Sequence, residues 1–209
     1  MVRWWDEQVV PRLTDVSLRG HEVGDLRQEV CARLRGTVVE VGFGSGLNVR
    51  WYPDTVDEVL AVEPSDQGWA LSERRRARSR VPVRRAGLDG QRLDLADDGA
   101  DSALVTFSLC TIPDPALALR ELLRVVRPGG TLAVVEHGLS PDPRTARRQA
   151  RWEPVQRRVA GGCHLTRDPL SLLRDNGWDV TWSASGALRG PAFAAPWTWV
   201  TRALAVAGA

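Results

Sequence analysis

The chain has 209 residues, 43% of them apolar, enough for one well-buried domain and short for two, so a single domain over residues 1–209 is expected. All 28 basic residues are arginine and face 26 acidic ones; the net charge of +2 argues against phosphate-backbone binding as the main activity, and the lack of lysine excludes a lysine base or Schiff base. Three widely separated cysteines, Cys31, Cys110 and Cys163, form no C-x-x-C pair, which argues against a disulfide framework or a structural zinc site.

The opening Met1 to Glu7 carries charge and no apolar run, so it does not read as a secretory signal. No stretch approaches the roughly 18 apolar residues of a membrane span. The expectation is a cytoplasmic protein. From Trp4 to Arg35, apolar residues recur at threes and fours (Val9, Leu13, Val16, then Leu26, Val30, Leu34), which predicts helices ahead of the first strand.

Val38 to Val41 then reads as a buried strand stopped by the turn Gly42-Phe43-Gly44-Ser45-Gly46. A second strand, Asp57 to Glu63, ends in a carboxylate about 20 residues on, where doubly wound folds place a ribose-binding acid. The glycine spacing separates the candidate cofactors. A dinucleotide turn needs G-x-G-x-x-G, and here Leu47 occupies the third glycine's place. Glu40, two residues before the turn, would repel a pyrophosphate and attract a cationic amino-acid head group. S-adenosyl-L-methionine carries an ammonium, a sulfonium and no phosphate. The competing reading is a tight strand-to-helix turn with no ligand.

Ser65 or Asp66 caps a helix predicted to run to Arg80, and Val81 to Arg85 forms a third strand before the loop Ala86 to Gly90. The fourth strand is Ser102 to Phe107, followed by Ser108-Leu109-Cys110-Thr111-Ile112-Pro113-Asp114 and a helix from Pro115 to Val126. That helix stops at Arg127-Pro128-Gly129-Gly130 and returns as a fifth strand, Thr131 to Glu136. Arg144, Arg147, Arg148 and Arg151 share one face of a helix that Pro154 is expected to kink or end. A loop from Gly161 to Asp168 feeds a capped helix ending at Asn176-Gly177, and two strands, Trp178 to Trp182 and Thr198 to Val206, close the chain. The alternation predicts an α/β, Rossmann-like, doubly wound and mostly parallel seven-stranded sheet with N-terminal helices and a helical insert after strand five. Ligands in such sheets bind at the carboxyl ends of the strands, where Glu40 to Gly46, Glu63, Asp89, Ser108 and Glu136-His137 all fall.

Together the Glu40 to Gly46 turn, Glu63-Pro64, the Asp89 loop, Leu109 to Asp114 and Leu122 through Gly130 resemble the class I S-adenosyl-L-methionine-dependent methyltransferases. Val135-Glu136-His137 and Gly162-Cys163-His164-Leu165-Thr166-Arg167 are similar to the branch containing the methyltransferase-like thiol methyltransferases. The resemblance implies that Glu40 faces the cofactor ammonium, that Gly42, Phe43, Gly44 and Gly46 pass close to its methionine part, and that Glu63 with Pro64 holds the ribose hydroxyls. It implies Leu88, Asp89 and Gly90 around the adenine and Ser108 and Leu109 at the methyl-donor end. Asp94 departs from the Leu-Pro pair of many relatives.

The implied activity is methyl transfer to a small-molecule thiol, hydroxyl or amine. His137 is the candidate base, because imidazole titrates near neutrality; the alternative is a structural cap. No metal is expected: Cys163-His164 has no third ligand nearby in sequence and reads as loop or pocket wall. The arginines Arg74 to Arg85 read as a solvated face, and Trp4-Trp5 as packing or a lid over the cleft. Two alternatives stand beside this: a nucleic-acid methyltransferase, disfavoured because no Asn- or Asp-Pro-Pro-aromatic motif follows strand four, and a phospholipid methyltransferase or non-catalytic membrane-surface binder using the basic helix.

Overall fold

The computed structural model describes residues 4–208; the Met1-Val2-Arg3 part of the opening segment discussed above lies outside them. Seven strands form one sheet: β1 (Gly36–Val41), β2 (Val56–Val62), β3 (Val83–Gly87), β4 (Ala100–Thr106), β5 (Val126–His137), β6 (Trp178–Ala187) and β7 (Trp199–Ala207). Their spatial order is β3-β2-β1-β4-β5-β7-β6. β3 through β5 are parallel, and β7 then runs antiparallel to both β5 and β6. The order reverses between β1 and β4, which opens a crevice beyond the carboxyl ends of those two strands.

The helices are α1 (Val10–Ser17), α2 (His21–Cys31), α3 (Asp66–Leu71), α4 (Glu73–Arg76), α5 (Pro115–Val125), α6 (Pro143–Val159), α7 (Pro169–Asp175) and α8 (Ala195–Thr198), with a π-helical turn over Trp5–Val9. Three of them start the same way. Asp114, Asp142 and Asp168 each cap a following Pro-initiated helix, accepting the backbone N–H of Leu117, Thr145 and Leu170, while proline fills the position whose N–H needs no partner. On one side of the sheet, Val39, Leu60, Val105 and Val134 pack against Leu119, Leu122 and Val125 of α5, Leu173 of α7 and Trp178. On the other, Val38, Val59, Leu104 and Val135 meet Val23, Val30 and Cys31 of α2. Strands buried on both faces explain why β1 reads as a continuous apolar run interrupted only by Glu40.

Four details differ from the sequence pattern. The helix predicted from Ser65 to Arg80 is two short ones, α3 and α4, joined at Ser72. β5 begins at Val126, which pairs with Ala100, and the Arg127 to Gly130 turn bulges out before pairing resumes at Thr131 opposite Ser102. Pro154 lies inside α6 without ending it. The carbonyl deprived of its partner belongs to Ala150 on the exposed face, where water can satisfy it. β6 continues five residues past Trp182, because pairing with β7 carries Ser183 to Ala187 although they lack an apolar alternation.

Candidate active site

A cavity of about 600 Å³ opens at the β1/β4 switch point, within the size range of small-molecule sites. Its walls come from the glycine turn, the end of β2, the Leu88 to Gln91 loop, Thr106 to Ser108, Thr111 to Pro113, Ala160-Gly161 and, from the N-terminal segment, Asp6, Val10, Pro11 and Thr14. Among the expected site residues Gly42, Phe43, Gly44, Glu63, Pro64, Leu88, Asp89, Gly90 and Ser108 line it. Glu40, Gly46, Leu109 and His137 do not.

The glycines of the turn divide the work. All three have positive φ, +77° at Gly42, +56° at Gly44 and +74° at Gly46. A Cβ on Gly42 would fall 1.8 Å from Ser108 Oγ, so this glycine lets the β1 and β4 loops touch. A Cβ on Gly44 would meet nothing nearer than the Gly42 carbonyl at 3.9 Å, so the turn faces open space there. Gly46 packs inward against Ser72, Val49 and Phe43.

Glu63 is fixed by two backbone donors, Gly44 N–H at 2.6 Å and Ser65 N–H at 2.7 Å, one on each carboxylate oxygen. Burial raises its pKa, against the lowering effect of those two donors and Arg85. Each oxygen keeps a second lone pair for a ligand hydroxyl. Asp89 turns Oδ1 to the Gln91 backbone and side chain, and Leu88 beside it stands 59% exposed at the cavity edge.

Glu40 lies beneath the floor. It is fully buried and accepts from Asn48 Nδ2 at 2.9 Å and Tyr52 Oη at 2.5 Å. Burial pushes its pKa to about 7 despite those donors and the nearby Arg27. Arg27, which the sequence pattern hides as a polar residue in an amphipathic helix, lines the cavity while 3% exposed. It donates to Asn48 Oδ1 at 2.6 Å and Thr106 Oγ1 at 2.7 Å and lies 5.4 Å from the Phe107 ring centroid, but its buried Nε has no partner among the described residues. Asp15 is a second hidden member. Burial raises its pKa, and hydrogen bonds from Ser45 and Arg19 with the charge of Arg75 outweigh that, so it sits below the usual carboxylate range.

At the β4/β5 end, Glu136 accepts the backbone N–H groups of Ser108 at 2.5 Å, Leu109 at 2.7 Å and Cys110 at 3.4 Å. Burial still raises its pKa to about 7. His137 sits behind the cavity wall, its ring edge-on to Phe107 with centroids 5.2 Å apart. Burial pushes the His137 pKa down, but Cys163 and Glu136 outweigh it, and the net shift is upward. Cys163 and His164 face opposite ways, His164 pairing with Glu153 at 2.9 Å while Cys163 turns to His137. The N-terminal segment does cross the cleft, tied by Trp5 Nε1 to the Val159 carbonyl at 2.9 Å, although Trp4 and Trp5 do not line the cavity. The arginine run is mostly engaged: Arg75 with Asp15 at 2.8 Å, Arg85 with Asp66 at 2.6 Å, and Arg76 over the Trp69 ring.

The charges lining the cavity are three carboxylates, Asp6, Glu63 and Asp89, against the single guanidinium of Arg27. That set suits an adenosine ligand with two cationic centres and one carboxylate, and offers a pyrophosphate little but repulsion.

Known proteins agree. Residues 39–134 match the methyltransferase domain family. The thiol S-methyltransferase TMT1B of Rattus norvegicus is 32% identical over 136 residues, covering 63% of this chain and 55% of its own, and the human TMT1B is 31% identical over 66% and 58%. The chain thus spans little more than half the length of these relatives. Among solved structures, a methyltransferase of Thermotoga maritima superposes with a TM-score of 0.67 at 19% identity over 99% of this chain and all of that one. The [4+2]-cyclase SpnF superposes at 0.69 with 22% identity over 90% and 82%, so the shared fold does not by itself fix the reaction. Turn, strand-end carboxylate and cavity charge agree with the family match, which makes residues 39–134 similar to a methyltransferase domain that uses S-adenosyl-L-methionine.

Proposed function

We propose that the chain methylates a small-molecule thiol. The observation that carries this reading is the cavity's composition: charges that suit a cationic cofactor are joined in the lining by the apolar side chains of Val10, Pro11, Leu18, Phe107 and Ile112, which suit an uncharged organic acceptor. The thiol S-methyltransferases among its relatives favour sulfur over oxygen or nitrogen.

In this reading Glu63 accepts from the ribose hydroxyls and Pro64 stiffens the strand end. Asp89, Leu88 and Gly90 surround the adenine, and the Gly42 to Gly44 backbone passes the methionine part. Arg27, with its unused Nε, takes the cofactor's carboxylate. Glu40 acts on the head group at one remove, by holding Asn48, which accepts from Arg27, and Tyr52. S-adenosyl-L-methionine supplies a methyl already activated on a positive sulfur. The chain's contribution is to align the acceptor and exclude water, which Phe107, Ile112 and the N-terminal strap do. A thiol with a pKa near about 8.5 supplies enough thiolate near neutral pH that its proton need not pass to His137, which Phe107 separates from the cavity.

A radiolabelled methyl-transfer screen over thiols, phenols, amines, lipids and RNA tests the reading. Label on thiols is the expected result. Label on amines or phenols alone reassigns the acceptor, and cofactor binding without transfer to any class overturns the enzymatic reading. The amine alternative has one observation in its favour, a phosphatidylethanolamine N-methyltransferase of Cereibacter sphaeroides 32% identical over 49% of this chain.

A further inference from the structure

Outside the cavity, the fold gathers three metal-binding side chains that the sequence keeps apart. Cys110 follows β4, His137 ends β5, and Cys163 lies in the loop after α6. Their ligand atoms all fall within 4.8 Å of one another, and Cys163 Sγ is 3.8 Å from His137 Nδ1. In a tetrahedral zinc site with Zn–S about 2.3 Å and Zn–N about 2.0–2.1 Å, sulfur and nitrogen ligands stand roughly 3.6 Å apart. The Cys163–His137 spacing is within a few tenths of an ångström of that, and the other separations, at most 4.8 Å, need to close by no more than about 1 Å.

The surroundings are those that orient ligands. The His137 ring also hydrogen-bonds the Trp197 backbone carbonyl, the kind of outer contact that fixes the tautomer of a ligating imidazole. The Gln156 side chain bonds the Cys163 sulfur; its Oε1 accepts from Trp197 Nε1 at 3.0 Å, so its amide nitrogen faces the sulfur. Cys110 is held by its own N–H to Glu136 and by its carbonyl, which accepts His164 N–H at 2.8 Å. Leu165, Ala160 and Trp197 close the cluster with apolar surface. A disulfide between the two cysteines would leave His137 without a reason to converge on them.

We propose that Cys110, His137 and Cys163 bind one zinc ion, as two thiolates and a neutral imidazole. Two thiolates and a divalent ion leave no net charge to bury, and the soft and borderline donors select zinc over magnesium or calcium. Binding releases the thiol protons to solvent and needs no oxidant. Three protein donors are the count of an open site, with a fourth position for water or an exchangeable ligand. The ion would pin together two segments of the cavity wall, Phe107 to Pro113 and Ala160-Gly161, whichever acceptor the enzyme uses.

The test is zinc titration of the full chain, reduced and stripped by chelator, read by metal analysis after desalting and by thermal denaturation. One zinc per chain and a rise in Tm of at least about 3 °C are expected. Cys110→Ala, Cys163→Ala and His137→Ala should each lose stoichiometric zinc, whereas Cys31→Ala, outside the cluster and packed with Val23 and Val30, should keep it. Gln156→Ala leaves all three ligands in place and should weaken zinc about ten-fold. If a ligand variant fails to fold, cobalt substitution of the wild type decides, because thiolate-to-cobalt charge-transfer absorption reports sulfur ligation directly. No zinc uptake by the folded wild type overturns the assignment, as does zinc retained in the cysteine variants. So do thiols that resist alkylation until reductant is added, which would mark a disulfide.

Discussion

Two carboxylates at the carboxyl edge of the sheet use the same device and end differently. Glu63 after β2 accepts one backbone N–H from the loop beyond neighbouring β1 and one from its own loop, and Glu136 in β5 accepts three from the loop beyond neighbouring β4. Glu63 spends one bond on each oxygen and opens onto the cavity. Glu136 takes three N–H groups, is fully buried and does not line that cavity. The difference separates a carboxylate with capacity left for a ligand from one wholly committed to shaping the loop that carries Ser108 and Cys110.

The largest test of that contrast is Glu136→Ala. Orphaning three backbone donors in a buried loop should cost ~4 kcal/mol of stability in urea unfolding. A loss under 1 kcal/mol would mean the loop is held by something else. Glu63→Ala should do the reverse, weakening S-adenosyl-L-methionine in calorimetry by about 2–3 kcal/mol, roughly 30- to 150-fold, with a smaller loss of stability. Unchanged affinity would remove Glu63 from the ribose site.

A third, smaller effect concerns pH. The folded pKa of Glu40 is raised from 4.5 to about 7, so the folded state keeps a proton that the unfolded state has released. Its stabilising contribution is complete below the unfolded value and is lost as pH rises through the folded one. Glu40→Gln should therefore remove a downward slope of at most about 1.4 kcal/mol per pH unit in that window. Glu136 contributes with the same sign and stays in place in that variant. An unaltered slope would show that the Arg27, Asn48 and Tyr52 contacts keep Glu40 ionised. Least of all, Leu88→Ala should weaken the cofactor about three-fold and leave stability within about 0.5 kcal/mol, because the side chain is mostly exposed without ligand.

The strands and the helix starts were legible because they rest on short-range chemistry: apolar β-branched runs, Asp-Pro caps and glycines. Glu63, Asp89 and Ser108 were legible because strand ends deliver them to one edge. Arg27 and Asp15 were not. Each sits in a helix whose local pattern treats it as one more polar residue, and only the approach of the N-terminal helices to the cleft gives them partners 20 residues or more away. The convergence of Cys110, His137 and Cys163 escaped for the same reason, since counting cysteines along the chain cannot see that β4, β5 and the loop after α6 meet. Pro154 misled in the opposite direction, because a local rule overrode a helix that tertiary contacts hold on both sides: Glu153 bonds His164 and Thr166, and Gln156 bonds Trp197.

Phe107, the residue between cavity and cysteine cluster, has φ +54°, a conformation that bulky side chains rarely adopt and that costs about 1–2 kcal/mol. Glycine would relieve it. Phe107→Gly would nevertheless lose more than it recovers, since the ring is buried in the core with Leu104 and Val135 and truncating a buried phenylalanine costs about 3–5 kcal/mol, and it would strip the partition from between the cleft and the imidazole. The strained backbone is thus held in place by the packing of the side chain it carries, so that selection for thermostability alone would be expected to keep the boundary rather than erode it.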